Sequence, residues 1–403
     1  MMALALRKVT TVLAWFAAIV LFVLSPAIGS ISSIAVVLLT ILLSPIAFMR
    51  GSWRSLKAQP AMLMLLGAFA ALTLCFVINQ RQPTDVLFAT NFLGLLLAPV
   101  VYLLAVRRPG ARTIAIVAAL FVLGAIAGAL TGSYDVFVLH KERAIGWGSG
   151  GNLMARSVVP LGFMALSGIF ALRSNWRWLY LLGPAAALYA LYLTSTRGVF
   201  IAVPVLGLLF VWALIREFRG ARIWYFAGVG ALLVVLILVA LLSPRFLGVT
   251  SLLEQVLLDP SAVPDFATSQ RMYMWSAGWA TFLKSPWIGF GWANFTAAAV
   301  PYGISNFHND FFDIAVAAGS VGIAGWIAVL LAPIVGVTAL PKDRFSTLRL
   351  YCALLLSSSF FIFGLTDMTF GYDLPTTLYA FMTALVLGAL REASPVDLSP
   401  ADR

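Results

Sequence analysis

Charge is what this chain has least of. Of its 403 residues only 10% are Asp, Glu, Lys or Arg, while 62% are hydrophobic and the mean hydropathy is +1.00. A water-soluble domain of this length would have no polar covering, so a soluble enzyme or binding module is excluded. Cysteine is nearly absent. The two present, Cys75 and Cys352, lie inside apolar runs and read as small packing residues, not as a disulfide. Histidine is equally scarce, with two residues. The sequence has no Walker A motif and no GxGxxG between a strand and a helix, so neither ATP nor any other cofactor is expected. It has no strand–turn–helix elbow around a Ser or Cys either, which leaves no nucleophilic triad. Internal repeats and low-complexity segments are also missing.

What fills the chain instead is long apolar runs. They recur at roughly 17–25 residues, the length a helix needs to cross the hydrocarbon core. Helix is required there because lipid cannot satisfy open backbone groups. The fold class is therefore all-α, a polytopic membrane protein of about twelve spans. These fall near 11–28, 31–49, 61–79, 86–106, 113–131, 153–172, 178–194, 198–215, 223–243, 310–335, 350–366 and 375–390. Arg7 and Lys8 make the first resemble a signal peptide. It is read as retained, because its loss would leave an odd span count and spoil the charge pattern. Residues 392–403 read as a short polar tail with no room for a soluble C-terminal domain. Residues 1–403 thus read as a single integral membrane domain, with 244–309 as a long external loop.

The distribution of basic residues orients this array. With the N-terminus inside, the short loops near 7, 54, 110, 175, 219, 345 and the C-terminal tail hold 18 of the 26 Lys and Arg residues. Both termini are then cytoplasmic and the long loop is periplasmic. The net charge of +11 is spread over these loops, so it points to lipid and not to nucleic acid.

Eight basic residues remain on the outer side, and these need a separate account. Arg197, in LTSTRGVF, sits in a turn with almost no loop, so its guanidinium lies at the membrane boundary. An arginine there marks a functional position. Arg271 follows the polar triplet TSQ at the start of an aromatic helix. On that helix Met272, Trp275, Trp279, Phe282 and Leu283 share a face, which suits a helix lying along the bilayer surface. Arg156, one turn into the sixth span, and Arg143, in a glycine-rich loop, are further candidates. Arg81, Arg245 and Lys284 read as head-group anchors.

Of the two histidines, His140 beside Lys141 and Glu142 reads as a solvated surface residue. His308 immediately precedes the tenth span in NFHNDFFD. Imidazole in general titrates near ~6.5, which suits a base working around neutrality. The spacing of His308, Asp310 and Asp313 is not an established metal-ligand pattern, and no metal is expected.

Together, STRG at an outer turn, SQRMYMW…SPWIGFGWANF in a long external loop, and FHND leading into a span with AAGSVG resemble the O-antigen ligase/polymerase superfamily of bacterial membrane glycosyltransferases. The motifs cover about 194–325, and the topology is similar over the whole chain. The resemblance implies a metal-independent, inverting transfer in the periplasm, at the bacterial inner membrane, from a glycan on undecaprenyl pyrophosphate. It also implies that Arg197, Arg271 and His308 are essential. Guanidinium forks match pyrophosphate oxygens; an imidazole takes the acceptor's proton. Arg156, Arg143, Trp275 and Asp310 join the two arginines as candidates for holding substrate, and whether Asp310 orients His308 stays open. The favoured function is an O-antigen ligase acting on lipid A–core. Alternatives are an O-antigen or exopolysaccharide polymerase, a protein O-oligosaccharyltransferase, and, outside catalysis, a transporter of lipid-linked sugars. That last reading calls for mid-membrane charge and interrupted helices.

Overall fold

The computed structural model of the chain describes residues 2–48, 52–148, 150–172, 174–218, 228, 266–299, 301, 303–304 and 306–391. Among these there is no strand, only an isolated bridge between Phe370 and Tyr372. The helices that concern the site are α1 (Val9–Ile28), α2 (Ser30–Phe48), α3 (Pro60–Ile78), α4 (Pro83–Val106), α5 (Ala111–Val138), α6 (Gly151–Ala171), α7 (Leu182–Thr194) and α8 (Arg197–Glu217). They continue with α9 (Phe266–Phe282), α10 (Trp292–Ala299), α11 (Asp310–Thr338), α12 (Ser346–Thr366) and α13 (Asp373–Ala389).

Nine of the described helices are long and apolar enough to cross a bilayer, and α13 is a shorter apolar helix. The chain is a multi-pass α-helical membrane protein. Eleven of the twelve expected spans have a helical counterpart; the ninth, 223–243, lies outside the described residues apart from residue 228, as do 244–265 and the tail 392–403 in full. Two boundaries differ from the periodicity. The span expected to end near 131 runs on to Val138 through a π turn over Tyr134–Val138. It does so because buried Asp135 accepts hydrogen bonds from Ile145 N at 2.9 Å, Gly146 N at 2.8 Å and Lys141 Nζ at 2.6 Å. These draw the following loop onto the helix end. The span expected from 178 begins as a 3-10 segment over Asn175–Leu181.

Apolar side chains gain little by leaving lipid for one another, so close approach of backbones has to hold such a bundle. Small residues sit where helices touch. A Cβ on Gly94 of α4 would lie 2.6 Å from the Thr377 Cα of α13, and one on Gly162 of α6 2.4 Å from the Ala187 Cβ of α7. The most apolar stretch of α6 is 94% buried, which makes it the centre of the assembly.

Side-chain and backbone bonds sort the helix ends into two sets. At one end Arg107 donates to the Ile46 and Ala47 carbonyls, Arg108 to Thr11 Oγ1, Gly110 N to the Ala389 carbonyl and Arg349 to the Leu390 carbonyl. At the other, Ser30 donates to Asp373, Trp147 N to the Ala27 carbonyl, Ala144 N to the Leu193 carbonyl and Asn309 to the Leu365 carbonyl. Helices α1–α8 and α11–α13 thus alternate in direction, and the motifs gather at the second end.

Candidate active site

The FHND turn is over-determined by its own side chains. Asn309 caps α11 by accepting from Phe311 N at 2.9 Å, and its amide donates to the Leu365 carbonyl at 3.1 Å. Asp313 accepts from Phe307 N at 3.0 Å, and Asn306 accepts from His308 N at 3.2 Å. Phe307 is buried against Gly278 of α9, where a Cβ would come within 3.1 Å of its ring. Held this way, His308 adopts φ +47°, a left-handed conformation unfavourable for a residue with a Cβ. His308 therefore precedes the helix instead of lying on it.

The partner of His308 is Asp367, at the C-terminal cap of α12. His308 Nδ1 lies 2.7 Å from Asp367 Oδ1, which also accepts from Met368 N at 2.9 Å. The other oxygen, Oδ2, accepts from Arg156 Nη2 at 2.5 Å and from Asn152 Nδ2 at 3.0 Å. Burial alone raises the Asp367 carboxyl, but the His308 hydrogen bond and the Arg156 charge outweigh it and hold the group well below the usual carboxylate range. An ionised carboxylate is an acceptor only, so His308 Nδ1 must carry the proton. In the neutral imidazole that leaves Nε2 with its lone pair. The His308 side chain is 42% exposed, against 15% for Asp367 and 2% for Arg156. The three form a graded path from protein interior to surface.

Asp310 does not orient His308. It is fully buried and accepts from Thr369 N at 2.5 Å and Phe370 N at 3.1 Å, fixing the loop that follows Asp367. Gly364 makes room for it: a Cβ there would lie 2.5 Å from Asp310 Oδ2. Asp310 and one oxygen of Asp313 thus accept from backbone amides, and among the described residues no three His, Cys, Asp or Glu side chains gather as a metal-binding group.

The STRG turn meets this cluster from α7 and α8. Ser195 is left-handed at φ +55°, Thr196 is buried, and Arg197 opens α8 with its side chain exposed. Gly198 lies against Thr366, the residue before Asp367; a Cβ would come 2.5 Å from Thr366 Oγ1. Arg143 is exposed beside Ala144, whose N–H donates to the Leu193 carbonyl at 2.9 Å, so its loop borders the same turn. Arg271, also exposed, is seven residues before Gly278 on α9. Seven residues return a helix to within about 20° of the same stripe, about 10 Å along. Arg271 therefore continues the stripe that packs on Phe307. Among the described residues none of these three guanidiniums is in an ion pair.

The aromatic face of α9 divides. Met272, Trp279 and Leu283 are exposed, as expected of an interfacial helix, whereas Phe282 turns inward and Trp275 is half-buried, stacked on Phe312 with centroids 6.4 Å apart. At about 100° per residue, 275 and 282 lie some 60–80° from the outward stripe, enough to reach α11.

An unexpected break divides α11 at Gly319 (φ +62°, ψ −155°). The freed groups are paired by the SPWIGFG segment. Phe290 N and Gly291 N donate to the Val316 and Ala317 carbonyls at 2.9 and 2.8 Å, while Ser320 N and Val321 N donate to the Pro286 and Trp287 carbonyls at 2.8 and 3.2 Å. Irregular backbone is tolerated at membrane depth when protein satisfies it in this way. A residue with a Cβ at 319 would collide with the Trp287 carbonyl.

A helical bundle with a polar, arginine-rimmed cluster at one end defines a class of multi-pass membrane protein. Residues 182–327 match the model of the family described as O-antigen ligase, an interval running from α7 through the STRG turn and α9 into the second half of α11. The match supports the O-antigen ligase/polymerase superfamily as what this chain resembles, and with it a glycosyltransferase type of activity on lipid-linked glycans. None of the curated proteins matches the chain. Of the residues singled out in the sequence, Arg156, His308 and Asp310 converge on Asp367 and its loop, and Arg143, Arg197 and Arg271 border it. Asp367 and Asn152 do not stand out in the sequence. The available signal for Asp367 was an acid directly after a span, in GLTDMTF, in a chain with only 15 acidic residues.

Proposed function

We propose that this chain is an O-antigen ligase: an inverting, metal-independent glycosyltransferase that moves a glycan from undecaprenyl pyrophosphate to lipid A–core on the periplasmic face of the inner membrane. The observation that carries the reading is His308 on Asp367 at 2.7 Å with its imidazole partly exposed, bordered by exposed guanidiniums. In this reading the acceptor hydroxyl oxygen attacks the anomeric carbon opposite the leaving group. The anomeric carbon–oxygen bond breaks, its electron pair leaves with undecaprenyl pyrophosphate, and the hydroxyl proton passes to His308 Nε2. Asp367 keeps Nδ1 protonated and stabilises the imidazolium, a division of labour known from hydrolase triads. Arg197, Arg271 and Arg143 hold the pyrophosphate and balance its developing charge. Arg156, Asp310 and Trp275 support the site from behind: Arg156 fixes Asp367, Asp310 the 367–370 loop, and Trp275 packs on Phe312.

The proposed orientation, both termini cytoplasmic and 244–309 forming a periplasmic loop with catalytic residues, rests on the 18 basic residues of the inner loops. Cysteine labelling in intact cells checks it: reactivity at 219 with protection at 260 would overturn the orientation. Interrupted helices favour a transporter, but the polar groups at the Gly319 break are taken by the SPWIGFG segment and are not free for a substrate.

The deciding experiment is the lipopolysaccharide pattern of a strain lacking this chain. A ligase predicts loss of the whole ladder with accumulation of lipid-linked polymer. Survival of a single-repeat band points to a polymerase, and an unchanged ladder with loss of protein glycans to an oligosaccharyltransferase.

A further inference from the structure

One carboxamide joins the two halves of the proposed site. Asn152, the second residue of α6, donates from Nδ2 to Asp367 Oδ2 at 3.0 Å. Its Oδ1 faces Thr196 Oγ1 at 3.5 Å, a long bond of the kind that tightens on substrate binding. The Thr196 hydroxyl is buried and lies 3.5 Å from the Gly151 carbonyl as well, so both of its neighbours belong to the start of α6. Thr196 immediately precedes Arg197, and Asp367 holds His308. The amide therefore bridges the turn bearing the proposed pyrophosphate-binding arginine and the pair bearing the proposed base. Its chemistry is specific. An amide offers a donor on one arm and an acceptor on the other. A carboxylate in its place would confront Asp367 with a like charge, and a serine has too short a reach for both partners.

We propose that Asn152 is a positioning residue that sets the spacing between the Arg197 guanidinium and His308 Nε2. This rests on the reading of Arg197 as a pyrophosphate ligand and His308 as base. An in-line displacement is sensitive to that spacing, because a misplacement of about 1 Å costs on the order of 10²-fold in rate. The effect belongs to the chemical step, since each residue keeps its own group for binding.

The test uses the full chain in lipid nanodiscs, with an undecaprenyl pyrophosphate-linked glycan as donor and purified lipid A–core as acceptor. Transfer rate and donor affinity are measured separately. Asn152→Ala should lower kcat by about 10–10²-fold with donor Kd changed less than about 2-fold. Thr196→Val should lower kcat in the same way, Thr196→Ser should restore it, and Asn152→Ala with Thr196→Val should be no worse than Asn152→Ala alone. Normal kcat in Asn152→Ala, or fully additive losses in the double variant, overturns the inference while the base assignment stands, provided His308→Ala lowers transfer by about 10²-fold or more. If Asn152→Ala does not insert, the threonine pair decides: normal kcat in Thr196→Val, or no rescue by Ser, overturns it. Wild-type transfer by His308→Ala overturns both the site reading and this inference.

Discussion

Among the described residues, two buried arginines pair with aspartates, one at each end of the bundle, and their surroundings differ. Arg349 donates to both oxygens of Asp343 at 2.7 and 2.8 Å, and also to the Leu390 and Pro341 carbonyls. Its partner lies six residues away, and the Asp343 side chain is only 9% exposed. That pair is closed: it ties the entry of α12 to the end of α13. Arg156 instead reaches from α6 across 211 residues to Asp367, leaving the second oxygen for an imidazole that is 42% exposed. The same ion pair is thus a clamp where every atom turns inward, and a mount where one oxygen carries a partly exposed imidazole. Partner geometry separates a structural pair from a functional one; residue type and burial do not.

The comparison breaks most visibly under charge removal. Asp367→Asn should cut transfer by about 10²–10⁴-fold, the worth of a general base, with insertion intact. Asp343→Asn should leave kcat unchanged but destabilise by about 3–5 kcal/mol, because Arg349 is left buried and unpaired. Thermal unfolding beside a transfer assay reads both, and equal kinetic losses would erase the distinction. Next in size are the exposed arginines. Arg197→Lys and Arg271→Lys keep charge but lose the bidentate fork, so donor affinity should fall by about 10–10²-fold, while Arg344→Lys at the other end should change nothing. Undiminished affinity in the first two removes them from the pyrophosphate site.

A smaller difference appears with pH. The Asp367 carboxyl is depressed in the folded chain by His308 and Arg156 against the opposing effect of burial. A depressed carboxyl contributes stability that is fully present above its unfolded value, near ~3.9, and is lost as pH falls through the lower folded value. The melting-temperature gap between wild type and Asp367→Asn should therefore hold at neutral pH and shrink below about pH 4. A gap that widens with acid contradicts this sign. The smallest expected effect is none: with Asp310 and Asp313 bound to backbone amides, thorough chelation should leave transfer intact. Loss restored by Mg²⁺ or Mn²⁺ would return them to consideration as ligands.

Sequence made the helices legible because lipid permits little else over a 20-residue apolar run. It also exposed Arg197 and His308, since a cation in a loopless turn between spans and a rare imidazole before a span have few bland explanations. It hid Asp367, 59 residues beyond His308, because that pairing depends on how the ends of α11 and α12 meet. Asp310 drew attention by sequence proximity, yet backbone direction sends it to the 369–370 amides. The break at Gly319 was hidden for a related reason. Its pairing partners, 286–291, come from a separate segment, so hydropathy along α11 gives no sign of it.

The central claim is that His308, mounted on Asp367, is the base. Reconstituted transfer by His308→Ala, with donor binding measured on the same preparation, tests it most directly. With His308 as the base, donor affinity stays within about 2-fold of wild type and transfer falls by about 10²–10⁴-fold. Transfer at the wild-type rate, or a loss explained wholly by weaker donor binding, would contradict it.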